Sequence, residues 1–193
     1  DWSSDVCSSD LDGKLVGLTY QREQQVVAWH QHIFGGAFNS GIAVCESIAT
    51  IPTDNKEYQT WVIVKRTING STKRYIECFS DFDFDETVSA DFKFVDSHLT
   101  YSGASTSTLS GLSHLEGQTV TILTNGSTHA DKVVSAGSIT LDRSVTKAVV
   151  GLKYASVLQT MRIEGGAAEG TSQGKTKRIS KVVLVRASIS FPG

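Results

Sequence analysis

Two Asn-Gly dipeptides, Asn69-Gly70 and Asn125-Gly126, stand between strand-like apolar runs and constrain the fold more than any other feature of the chain. Both residues of such a pair tolerate positive φ, which the two-residue turns that suit twisted antiparallel strands require. TWVIVKRT leads into KRYIECF through the first pair, and TVTILT leads into a further strand through the second, so a hairpin is expected at each. Ala136-Gly137 is read as a third turn, feeding SITLDR. Val, Ile and Thr are frequent, 17 glycines stand against two prolines and one methionine, and helix-period stretches are scarce. The expected class is all-β.

Residues 12–80 read as an antiparallel meander. KLVGLTY, QQVVAWHQHIF, GIAVCESIATI, TWVIVKRT and KRYIECF are apolar or alternating runs separated by turn-forming breaks. In TWVIVKRT both faces are apolar until Lys65 and Arg66 mark the exit, which suggests a strand covered on both sides; Trp29 and Trp61 are expected to pack this region. Residues 81–92, DFDFDETVSADF, form an acidic connector. Residues 93–145 mix Tyr101, Leu112, Leu115, Val120 and Ile139 with Ser, Thr and Gly, a composition that fills one sheet face and turns corners, and they are read as a small inserted barrel. Residues 146–193 supply returning strands around a Gly-rich basic loop, GGAAEGTSQG and its sequel. Residues 1–11, DWSSDVCSSDL, resemble translated sequencing adaptor and are set aside as artefactual or disordered; the remainder is read as the back end of a longer protein.

The 193 residues carry a formal charge of −2, which argues against a generally basic nucleic-acid-binding domain, and no apolar run reaches the length of a membrane span. Cys45 and Cys78 each fall in a strand and are read as small buried apolar residues rather than a disulfide or metal pair.

Motifs with chemical meaning fail on spacing. The alternating aspartates of 81–92 invite a calcium loop, but the sixth position is Glu86 and the twelfth Phe92, where glycine and glutamate are needed. GTSQGKT ends like a phosphate loop, yet Glu169 stands where its first glycine belongs. Among the five histidines, His30 and His32 share a strand face without a carboxylate or cysteine at a ligand-like offset, and are read as surface or interface residues. His114 is expected to hydrogen-bond backbone. No catalytic, cofactor-binding or metal-ligating residue is assigned. Lys175, Lys177, Arg178 and Lys181 form the densest positive charge, a candidate stripe for DNA phosphates or for a subunit contact.

The runs LTYSG, LSGLSHLEG, GLKY, LQTMRIE and GTSQGKTKRISKVVL together resemble the C-terminal part of tail nozzle (tail tubular protein B-like) proteins of short-tailed bacteriophages. Within them, GLSHLEGQTVTIL, TNGST and VVSAGSITL resemble the barrel of the first catalytic cysteine half-domain (FCCH) of ubiquitin-activating enzymes, over residues 109–141, without the cysteine chemistry found there. The nozzle resemblance implies a partial propeller-like meander followed by the small barrel and returning strands. It also implies a structural virion protein, assembled in the bacterial cytoplasm as a homo-oligomeric ring between tail adaptor and tail fibre proteins, that retains DNA and passes it without sequence preference at ejection. The rival expectation is a host-surface or glycan-binding module at the virion tip.

Overall fold

A computed structural model describes residues 7–9, 12–21, 23, 25–53, 58–80 and 90–157, with the backbone alone at 7–9, 21 and 26. The chain divides into two units, 1–155 and 156–193, and every element below lies in the first. The architecture is all-β, in several antiparallel sheets. Among the described residues no helix is long and apolar enough to cross a membrane.

The first half holds two three-stranded meanders. Strands β1 (Cys7–Ser9), β2 (Leu15–Gln21) and β3 (Val26–His32) lie in that order, and β6 (Val44–Pro52), β7 (Tyr58–Ile68) and β8 (Ser71–Cys78) in theirs, with the short hairpin β4 (Ala37–Phe38) and β5 (Gly41–Ile42) between. Cys7–Ser9, within the residues set aside above, pair with Gly17, Val16 and Leu15 along the row of β2 backbone groups that β3 leaves open. Asn69 and Gly70 turn β7 into β8 with φ of 47° and 71°, as their sequence requires.

β7 is the central strand, and every second residue, Val62, Val64, Arg66 and Ile68, is buried. Val62 and Val64 join Leu15, Phe34, Ala43 and Cys45 in one core. Arg66 does not mark the strand's exit; the strand runs on to Ile68 and the guanidinium is wholly enclosed. Two further expectations change. Trp61 is half-buried, but Trp29 is 67% exposed. Cys45 is buried while Cys78 is exposed, because on β8 Tyr75 and Glu77 take the inner face and leave Ile76 and Cys78 outside.

The second half is a four-stranded sheet in the order β11-β10-β12-β9, built from β9 (Asp96–Ser110), a 3-10 turn (Ser113–Leu115), β10 (Thr119–Thr124), β11 (Ser127–Val133) and β12 (Ser138–Leu152). β12 continues through Leu152, so residues 146–152 belong to this sheet rather than to a separate return. Leu112, Leu115, Val120, Ile122, Ile139 and Val150 form its core, with Tyr101 packed against them. Asn125-Gly126 and Ala136-Gly137 take positive φ at the two turns.

The expected barrel does not close. Only the second half of β12, Ala148 to Gly151, pairs with β10, because irregular pairing with β9 between Thr140 and Lys147 diverts the first half. Among the described residues no ladder joins β11 to that first half. Side chains bridge the seam instead: the Asp142 N–H donates to His129 Nε2 at 3.1 Å, and Lys132 Nζ reaches the Asp142 carboxylate at 2.6 Å. His129 Nδ1 donates to the Ala130 carbonyl at 2.8 Å, which fixes the Nδ1–H tautomer and leaves Nε2 to accept.

Candidate functional site

Lys175, Lys177, Arg178 and Lys181 lie outside the described residues, as do the phosphate-loop-like segment and most of the acidic connector. Of that connector Asp91 is described, and it pairs with Lys147 of β12 at 2.9 Å. Among the described residues no three His, Cys, Asp or Glu side chains gather to hold a metal ion.

The histidines do gather elsewhere. A cleft of about 570 Å³ opens between the end of β8 and residues 91–98, and His32, His98 and His114 all line it. The expectation that His32 is a surface or interface residue is corrected, because the structure turns it inward. It ends β3, and its Nε2 donates to both carboxylate oxygens of Asp96 at 3.2 Å. Its ring meets Phe34, Phe79 and Tyr154 edge-on, with centroids 4.7, 5.7 and 5.2 Å away. His114, from the 3-10 turn, donates Nε2–H to the Ser97 carbonyl at 3.1 Å, the backbone bond expected of it, and stands edge-on to Tyr75 at 6.2 Å.

Asp96 opens β9 and links three segments. Besides His32, it accepts the Gly35 N–H at 2.7 Å. The Gly35 carbonyl in turn accepts from Arg66 Nε at 2.8 Å, and the rest of the guanidinium forks onto Glu77, with Nη1 on one oxygen and Nη2 on the other. A glycine is required at 35: a β-carbon there would stand 2.8 Å from the Lys153 carbonyl oxygen and 2.9 Å from Leu152. Ser97 follows with φ of 50°, a left-handed conformation that aims its carbonyl at His114.

Burial depresses the His98 pKa, and Lys93 lowers it further against the opposing pull of Asp96 and Glu77. Burial raises the phenols of Tyr75 and Tyr154, so both remain neutral donors. Among the described residues His98, Lys93 and the two phenolic hydroxyls make no hydrogen bond to protein, and all four line the cleft.

No protein-family model matches the chain, and no curated protein matches it.

Sequence reasoning passed over Asp96 and Glu77, took Arg66 for the exit of its strand, and gave His98 no role. His32 and Asp96 are 64 positions apart, and Arg66 and Glu77 lie on neighbouring strands as a charge pair. Only the second pair left a signal: a lone Arg in phase with buried Val62 and Val64, and a lone Glu in phase with Tyr75 one strand on.

Proposed function

We propose that the chain is a structural part of a short-tailed phage tail nozzle, a virion conduit that retains DNA and releases it at ejection. The identity rests on the resemblance of residues 99–184 to nozzle proteins. A propeller-like role for the two meanders, a homo-oligomeric ring, and tail adaptor and tail fibre proteins as neighbours belong to the same proposal.

The observation that carries assembly is one face of β2 and β3. Tyr20 pairs with Val27 and Leu18 with Trp29, and these side chains share a face on which Tyr20, Val27 and Trp29 are 45, 60 and 67% exposed. Its neighbours on that face, Val16 and Gln31, are also uncharged. Charge depletion with exposed aromatic rings is the composition of an interface core, and a second copy is the occupant a ring supplies.

Sedimentation velocity tests this. The 193-residue chain should associate as concentration rises, and Trp29→Glu should abolish association without lowering the melting temperature. A monomer at every concentration would overturn the ring. Replacing Lys175, Lys177, Arg178 and Lys181 together by Gln should reduce weak, salt-sensitive binding to duplex DNA of any sequence; unaltered binding would remove these residues from the conduit wall.

A further inference from the structure

The cleft beside Asp96 has no part in a passive conduit, and its chemistry selects a ligand. Two aromatic clusters line it: His32 with Phe79 and Tyr154, and Tyr75 with His114. The carboxylates of Asp96 and Glu77 line it as well and can accept further hydrogen bonds. The two phenols, His98 and Lys93 supply donors not engaged by the described protein. The volume, about 570 Å³, is that of a small-molecule site.

Three ligand classes fit poorly. An apolar molecule would strip water from two phenols and an imidazole and leave each polar group without a partner. A multivalent anion would face Asp96, Glu77 and Asp91 with Lys93 as the one cation not engaged by another described residue. An organic cation would meet Lys93 across the same space. A pyranose fits every group: its C–H face lies on aromatic rings, and its hydroxyls both donate to carboxylates and accept from phenol or imidazole.

We propose that this cleft is a binding site for a neutral saccharide, with a sugar ring against Tyr154 and Phe79 and its hydroxyls held by Asp96, His98 and Tyr75. The proposal does not depend on the ring assembly above, and its readout is separate from sedimentation.

The test is saturation-transfer NMR and isothermal titration of the full chain with methyl glucoside, methyl galactoside, maltotriose and triacetylchitotriose, each to about 10 mM, so that weak binding is detected. Inorganic phosphate and choline serve as the anionic and cationic probes. At least one saccharide should bind, and Tyr154→Ala and His98→Ala should each weaken it roughly tenfold, with Val133→Ala, at an exposed position outside the cleft, leaving it unchanged. Tyr154→Phe keeps the ring and its packing while removing the hydroxyl, so it should lose less than Tyr154→Ala. The melting temperature of each variant separates loss of the site from loss of the fold, and where Tyr154→Ala unfolds, Tyr154→Phe and His98→Ala carry the test. No binding by any of the four saccharides, tighter binding of phosphate or choline, or binding indifferent to both cleft positions would overturn the proposal.

Discussion

Arg66 and Glu77 form a forked ion pair in which the guanidinium is wholly buried and the carboxylate side chain 16% exposed. The arginine sits in the apolar row of β7, so its charge is tolerable only while Glu77 and the Gly35 carbonyl hold it. Glu77→Ala should cost about 3–5 kcal/mol, since it leaves a buried charge without its partner. Urea unfolding checks this; a loss below about 1 kcal/mol would show that the pair is solvated.

Glu46 should govern the response to acid. It sits at the bulge where β6 and β7 slip register, and receives Arg74 Nε at 2.6 Å and Lys65 Nζ at 2.7 Å. The bond from Arg74, then that from Lys65, holds its pKa at about 2 instead of 4.5. A carboxylate depressed by folding contributes stability that is complete above pH 4.5 and is lost as the pH falls toward 2. Stability measured across that window should fall less steeply in Glu46→Gln than in the parent, and the difference should shrink in high salt because the cluster is exposed.

His98 should act at milder pH. Its folded pKa lies below 6.5, chiefly through burial, so the unfolded chain takes up the proton more readily. Folding is therefore undiminished above pH 6.5 and weakens as the pH drops below it. His98→Asn should flatten that decline in chemical-denaturation curves recorded at successive pH values. A parallel decline would assign it to another group.

Two turn glycines should respond differently to the same substitution. Gly70 has φ of 71°, and a β-carbon there would find no other atom within 4 Å, so Gly70→Ala meets only backbone strain, about 1–2 kcal/mol. Gly137 has φ of 66°, and a β-carbon there would stand 2.6 Å from Ser113 Oγ. Gly137→Ala should be slightly the more destabilising in thermal melts, because the Ser113 hydroxyl must rotate away as well, while the Ser113 backbone stays at ordinary contact distance.

Short-range signals were the legible ones. Asn69-Gly70, Asn125-Gly126 and Ala136-Gly137 announced their turns because backbone sterics act within two residues. Leu112, Leu115, Val120 and Ile139 were recognisable as core because apolar residues set among Ser, Thr and Gly have one face to fill. Trp29 misled because hydrophobicity says a side chain should be covered without saying by what. The open seam at Asp142 was hidden in the unequal spacing of two long strands, where β12 and β9 each carry residues without a partner. The cleft was least legible of all, since His32, Glu77, Asp96, His114 and Tyr154 come from five separate elements or their flanks, and nothing local ties one to another.

Gly35 is held at both its backbone polar groups, the N–H by Asp96 of the second half and the carbonyl by Arg66 of the first. One residue without a side chain thus serves as a rivet between the two halves. A pull on either would be transmitted through it, alongside the His32–Asp96 and Gln118–Thr67 bonds that join the same two halves.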